Sequence, residues 1–162
     1  MKYWLIKSEP STYSINDLKK DGRTSWNGVR NYQARNFMRD DMKKGDLVLF
    51  YHSNAEPPGV AGLCRIVKEG YLEEKSATKH DGFVHKALRT DSPTPCGEPA
   101  WVMVDVEFVE KFKRFVTLDE LKADKKLQGM LVIKRGIRLS VQPVDNAHFD
   151  EAVRLGRGEA DR

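Results

Sequence analysis

Three polar residues follow the first apolar run of the chain, in the stretch KSEP at positions 7–10. Lys7 is able to activate Ser8 as a nucleophile, as covalent catalysis requires. Glu9 is able to act as a general base. The sequence shows no third group that would orient such a pair. The alternative is that a strand end presents Lys7 and Ser8 to a ligand as hydrogen-bonding groups, and we favour this binding interpretation.

A tryptophan among polar turn residues opens the stretch WNGVRNYQARN at positions 26–36. Trp26 is able to stack on a nucleobase, which is worth ~1–3 kcal/mol, or to fold back as a lid on the end of a barrel. Asn31 is able to cap the following helix or to offer its amide to a base edge. Arg30 and Arg35 are able to contact phosphate or to solvate the helix. The residues alone leave these alternatives open.

The histidines and cysteines do not form a metal or disulfide pattern. His80 and His85 lack neighbouring cysteine or carboxylate partners, so we interpret them as surface residues. His52 ends a buried strand, where a hydrogen-bonded structural histidine is the simpler interpretation. Cys64 and Cys96 fit neither a disulfide framework nor a zinc site, which indicates a reducing compartment. Phosphate-loop, dinucleotide-binding and hydrolase motifs are also missing, so we expect no catalytic residue, no metal and no cofactor.

The charge is mildly positive and unevenly distributed. The 162 residues include 28 Lys and Arg against 24 Asp and Glu, a net charge of +4. The stretch 111–138 holds nine of the basic residues and three acidic ones, a surplus that either attracts phosphates or simply keeps the surface soluble. The basic residues there are Lys111, Lys113, Arg114, Lys122, Lys125, Lys126, Lys134, Arg135 and Arg138.

No apolar run approaches the ~18 residues that a membrane span needs. The N-terminal MKYWLIKSEP has no long apolar segment and no cleavage site of the signal-peptide kind. We therefore expect a cytoplasmic protein with no membrane partner.

Residue patterns predict five or six strands. The clearest is WVMVDVEFVE, in which apolar residues alternate with Met, Asp and Glu. Gly62 is predicted to mark a bulge or a close approach of two backbones. The irregular segment 73–100 is predicted to form long loops. The predicted strands span residues 2–7, 46–53, 60–70, 101–110 and 136–144.

Three or four short helices are predicted between these strands. Ser14 with Asp17, and Thr117 with Glu120, have the spacing of helix-starting capping boxes. The last helix, at 145–156, is amphipathic, and Gly156 is predicted to be its C-cap. Regular strand–helix alternation and a Gly-rich first turn are missing, which argues against a doubly wound sheet. We predict an α+β fold built on a mixed β-barrel, because closure removes exposed sheet edges.

Several of these stretches together resemble the EVE domain family. They are YWLIKSEP, SWNGVRNYQARN, GDLVLFYHSN, PPGVAGL, WVMVDVEFVEKF and LSVQPV, in that order along the chain. The resemblance implies a PUA-like fold related to the YTH domains, which bind methylated adenine in RNA. It also implies a pocket for a modified nucleobase: methylated or hydroxymethylated cytosine, or methylated adenine. We expect a single domain over 1–156, a disordered tail over 157–162, and a monomer that binds DNA or RNA.

The resemblance also implies a set of ligand-binding residues at the matching motifs. We assign Trp26 to stack on or wall the base, Ser53, Asn54 and Ser140 to satisfy its polar edge, and Lys7 to favour phosphate together with Arg30. The full set is Lys7, Ser8, Trp26, Val29, Arg30, Asn31, Tyr51, His52, Ser53, Asn54, Ser140 and Gln142.

An enzymatic alternative stays open. The ASCH branch of the same superfold includes amidohydrolases and nucleases with Lys, Thr and Glu in the pocket, and Lys7 and Glu9 are compatible with that chemistry. The segment 73–100 does not follow the family pattern closely, so the choice between DNA and RNA also stays open.

Overall fold

The computed structural model describes residues 2–27, 29, 31–72, 101–134 and 139–158. Its strands are β1 (Tyr3–Ser8), β2 (Arg23–Trp26), β3 (Leu47–His52), β4 (Gly59–Leu72), β5 (Val102–Thr117) and β6 (Val141–Val144). Its α-helices are α1 (Ile15–Asp21), α2 (Tyr32–Asn36), α3 (Leu118–Ala123) and α4 (Asn146–Arg157). A π-helical turn (Phe37–Asp41) and two 3₁₀ turns (Lys125–Leu127 and Leu131–Ile133) complete these elements.

All six strands belong to one mixed sheet in the order β2-β5-β4-β3-β1-β6. The pair β1–β3 is parallel, with Tyr3 opposite Leu47 and Ser8 opposite His52, and the other pairs are antiparallel. Parallel pairing brings the carboxyl ends of β1 and β3 to the same edge of the sheet. The polar residues that follow both strands are therefore neighbours in space.

The long strands β4 and β5 bend through several register shifts, as bulged strands do. One shift lies between Val60 and Gly62, where a Cβ on Gly62 would overlap the carbonyl oxygen of Glu110. The prediction for Gly62 is confirmed. Within the described part of the chain the sheet remains open, with β2 and β6 at its two ends, instead of closing into a barrel.

The sheet separates two apolar cores. Side chains alternate along β1, so Trp4 and Ile6 enter a first core with residues of α1 and the π-helical turn. Leu5 enters a second core with residues of α3 and α4. The indole Nε1 of Trp4 donates to the buried carboxylate of Asp46, at 3.0 Å from Oδ2, which satisfies both groups inside the protein.

The predicted helix starts are confirmed. Ser14 and Asp17 form a reciprocal capping box on α1, and the Thr117 hydroxyl accepts from the Glu120 amide at 3.2 Å at the start of α3. The prediction of Gly156 as a C-cap is wrong. Helix α4 continues to Arg157 and ends at Gly158, whose φ of +71° is left-handed. Gly156 is buried inside the helix because its missing side chain leaves room for the ring of Phe112 on β5.

The predicted α+β class is confirmed, with six strands and four α-helices in the described residues. The sequence missed β2 altogether. The predicted loops of 73–100 lie outside the described residues. No helix in the described ranges is long and apolar enough to cross a membrane.

Candidate functional site

The ends of β1 and β3 are tied together by two hydrogen bonds. The Ser53 amide donates to the carbonyl oxygen of Ser8 at 2.9 Å. The amide nitrogen of the Asn54 side chain donates to Oε1 of Glu9 at 2.8 Å. These bonds fix the polar segment that follows β1 against the segment that follows β3.

A cavity of about 620 Å³ opens beside this edge, between the end of β1 and the strand β2. Its volume lies within the ~300–1,000 Å³ that small-molecule sites occupy. It has apolar walls from Trp26 and Val29 and polar walls from the segments around them. The lining residues are Lys7, Ser8, Glu9, Thr12, Tyr13, Thr24, Ser25, Trp26, Asn27, Val29 and Ser140.

Trp26 forms one wall of this cavity. The last residue of β2, it pairs with Val104 of β5, which fixes its backbone. The half-buried indole packs against Phe50 of the first core at 5.5 Å between ring centroids and 79° between ring planes. Tyr13 lies 6.2 Å away at 71°. Neither ring lies parallel on the indole, so Trp26 is both anchored in the core and part of the cavity surface.

Two hydroxyl groups in the cavity wall donate their protons to the protein. Ser8, only 8% exposed, donates from Oγ to the backbone carbonyl of Tyr13 at 2.5 Å. The phenol of Tyr13 donates to Oδ2 of Asp21 at 2.7 Å. Burial, with the carboxylate of Asp21, raises the pKa of Tyr13 to about 12, so the phenol stays protonated at neutral pH.

Among the described residues that line the cavity, Lys7 is the one with a cationic side chain. Its amide donates to the carbonyl of Ser140 at 2.9 Å, which ties β1 to the segment before β6. Burial lowers the pKa of the Lys7 ammonium. Alternation along β1 directs its side chain to the face opposite that of Ser8, so the two residues border the cavity from different sides of the strand.

Asn31 and His52 make structural contacts outside the cavity lining. Asn31 caps α2, accepting from the amide of Ala34 at 3.0 Å. His52 accepts from the amide of Ile15 at 3.2 Å through Nε2. Burial, assisted by the charge of Lys111, lowers the pKa of His52, so the imidazole is a neutral acceptor at the start of α1.

The other predicted residues lie in the second core, beside another cavity or outside the described residues. Tyr51 is buried in the second core, where burial raises its pKa to about 12. The Gln142 side chain donates to the Leu139 carbonyl at 2.9 Å and borders a separate cavity of about 240 Å³. Arg30 lies outside the described residues. Of the twelve predicted residues, five line the large cavity: Lys7, Ser8, Trp26, Val29 and Ser140.

The sequence model of the EVE domain matches residues 2–155 of this chain. The chain belongs to the EVE domain family. Human thymocyte nuclear protein 1 is 40% identical over 97% of this chain and 75% of its own length. These matches span the segments that form the cavity.

Solved structures of similar proteins share the fold of this EVE domain. A hypothetical protein from Leishmania major is 42% identical with a TM-score of 0.81, covering 98% of this chain and 96% of that one. Human THYN1, in complex with DNA that contains 5-methylcytosine, is 38% identical with a TM-score of 0.76, covering 99% and 100%. An ASCH protein from Zymomonas mobilis shares the fold alone, with 9% identity and a TM-score of 0.53 over 96% and 99% of the two chains.

Sequence reasoning missed several residues that line the cavity of this EVE domain. Tyr13 reaches it because the chain turns after Pro10, with the amides of Thr12 and Tyr13 both donating to the Glu9 carbonyl. Thr24 and Asn27 belong to β2 and the residues just after it. The segment RTSW carries the signal that could have revealed β2. Its residues Thr24 and Trp26 alternate with exposed residues, which is the pattern of an edge strand.

Proposed function

We propose that this EVE domain binds a modified nucleobase in its large cavity, with 5-methylcytosine in DNA as the first candidate. Hydroxymethylated cytosine, methylated adenine and RNA are the further ligands to be tested. The similarity to human THYN1, whose structure contains 5-methylcytosine DNA, supports this choice. We propose that the domain binds the base without chemical turnover.

One observation carries the proposal: a single cavity brings an anchored indole together with buried polar groups from β1. An indole wall offers a base ~1–3 kcal/mol of stacking energy. Burying a methyl carbon adds only ~0.8 kcal/mol, so selectivity for modification must also use pocket shape and unpaired polar groups. The cavity offers a base apolar surface from Trp26 and Val29 and polar surface from the buried hydroxyl of Ser8.

Exposed lysines of the basic stretch 111–138 supply the contact with phosphate in this proposal. Lys111, Lys125 and Lys126 have exposed side chains. Burial lowers the pKa of His52, at the end of β3, and the charge of Lys111 adds to this shift. Arg114 is paired with Glu120 at 2.6 Å, so part of the local charge is already neutralised inside the protein.

The test is a binding screen with single-stranded and duplex oligonucleotides, DNA and RNA, that carry one modified base or its plain counterpart. We expect tighter binding to at least one modified strand than to its plain match. Replacing Lys111, Lys125 and Lys126 by Ala should weaken modified and plain strands alike and reduce the salt dependence. Equal affinity for every modified and plain pair would contradict the proposal.

A hydrolase is the second candidate, because Lys7 and Glu9 line the same cavity together with Thr12 and Thr24. These are the residue types expected of an ASCH-like enzyme. The discriminating assay incubates the protein with acetylated and methylated nucleosides and with short modified oligonucleotides, and follows new products by chromatography. Product formation that Lys7→Ala abolishes would replace the binding proposal with the enzymatic one.

A further inference from the structure

The hydroxyl of Ser8 can offer a ligand an acceptor but no donor. A serine hydroxyl has one proton and two lone pairs. The Ser8 proton is directed to the carbonyl oxygen of Tyr13 at 2.5 Å, and a carbonyl can only accept. Ser8 is 8% exposed, so rotating the proton away would leave that carbonyl without the donor that it has in the structure.

Two further groups of the cavity wall have the same polarity. The phenol proton of Tyr13 is directed to the carboxylate of Asp21 at 2.7 Å, and Thr24 hydrogen-bonds to the same phenol, so Tyr13 offers a ligand no donor. Glu9 also lines the cavity, and its carboxylate, which can only accept, receives a hydrogen bond from Asn54 at 2.8 Å. The side chains of Ser8, Tyr13 and Glu9 therefore offer a ligand no donor along the part of the wall that follows β1.

These acceptors lie near the surface that would stack on a base. Alternation along β1 directs Ser8 to the side of Ile6, toward the first core, where the indole of Trp26 also packs. Tyr13 lies edge-on to that indole at 6.2 Å. A base stacked on Trp26 would thus present its polar edge to acceptors.

Nucleobases differ in what they present to an acceptor. Cytosine carries an exocyclic amino group, a donor, at the position where thymine carries a carbonyl oxygen. 5-Methylcytosine and thymine share the same ring methyl group, so stacking and methyl burial do not distinguish them.

We propose that Ser8, with its proton held by the Tyr13 carbonyl, selects an amino-bearing base and so makes the cavity bind 5-methylcytosine in preference to thymine. This inference rests on the proposed function. Asp21 acts as a positioning residue, because it holds the phenol proton of Tyr13 away from the ligand.

The experiment measures the affinity of the whole protein for three single-stranded DNA oligonucleotides that differ at one position: 5-methylcytosine, cytosine or thymine. Single strands remove the differences in base-pair opening that a duplex would add. We expect the wild type to bind the 5-methylcytosine strand ~5- to 150-fold more tightly than the thymine strand, which is the factor that leaving a buried acceptor unpaired costs.

Ser8→Ala should bring this ratio close to one, mainly by weakening the 5-methylcytosine strand. Ser11→Ala is the matched control, because Ser11 is an exposed serine of the segment that follows β1 and does not line the cavity. It should change the two affinities by similar factors. Circular dichroism and thermal unfolding establish that each variant is folded.

If Ser8→Ala does not fold, Tyr13→Phe and Asp21→Ala take its place. The first removes an acceptor, and the second frees the phenol proton to donate to the thymine carbonyl, so both should lower the ratio. An unchanged ratio in the folded variants would overturn the inference. Equal binding of 5-methylcytosine and thymine strands by the wild type, both tighter than cytosine, would also overturn it while leaving the proposed function intact. Equal binding of 5-methylcytosine and cytosine would instead count against 5-methylcytosine as the ligand.

Discussion

Replacing Trp26 by Ala removes one wall of the cavity and part of the first core at the same time. A nucleobase that stacks on the indole would lose ~1–3 kcal/mol, which corresponds to a ~5- to 150-fold weaker affinity. The side chain is half-buried against Phe50, so the protein should also lose stability. Removing a fully buried Trp costs ~3–5 kcal/mol, and we expect about half of that here.

Fluorescence anisotropy with a modified oligonucleotide and its plain counterpart measures the binding effect, and urea unfolding measures stability. The modified strand should suffer the larger loss, because the plain strand binds mainly through phosphate contacts outside the cavity. Tyr32→Ala is the matched control: Tyr32 is 55% exposed, stacks on Trp101 and does not line the cavity. Equal losses for the modified and plain strands in the folded Trp26→Ala variant would refute a base-reading role for this residue.

Substitutions at three further positions test the structure by urea unfolding. Gly156→Ala should destabilise the protein by ~1–3 kcal/mol, although Ala favours helices, because the new Cβ overlaps the ring of Phe112; equal or greater stability would refute that packing. Asn31→Ala should cost ~1 kcal/mol as a lost helix cap, and Asn31→Asp should restore most of it. The hydrogen bond from Arg154 lowers the pKa of Glu151 to about 2 from an ordinary 4.5, so its stabilising effect is complete above pH 4.5 and declines as pH falls. Glu151→Gln should therefore cost ~1.5–3 kcal/mol at pH 7 and much less near pH 2, and a loss independent of pH would contradict this origin.

The elements that the sequence predicted well are those with local causes. The valine alternation before Phe108 specifies β5, and the Ser14 and Thr117 caps specify helix starts, because each depends on neighbours within a few residues. Strand β2 was missed because its four residues are polar or half-exposed and become a strand only by pairing with β5, far along the chain. Gly156 was misread because its role is set by Phe112, a contact that local sequence does not encode.

The candidate site also contains residues that the sequence predicted and residues that it missed. Motif resemblance led to Lys7, Ser8 and Trp26, which the structure brings to one cavity. It did not lead to Tyr13, which reaches the cavity through a turn and interacts with Asp21 at the far end of α1. The direction of the hydroxyl protons depends on such partners, so the polarity of the cavity could not be predicted from residue types.

The central position of β1 has a consequence for protein synthesis. β1 pairs on one side with β3 and on the other with β6, which is formed by residues near the opposite end of the sequence. At ~5–20 residues per second, β6 leaves the ribosome on the order of 10 s after β1. During that interval one edge of β1 has no partner and Ser140 is not yet present, so nascent chains carry an apolar strand with an open edge and an incomplete cavity wall. The sixth strand and the Ser140 part of the cavity wall are therefore both added late in synthesis.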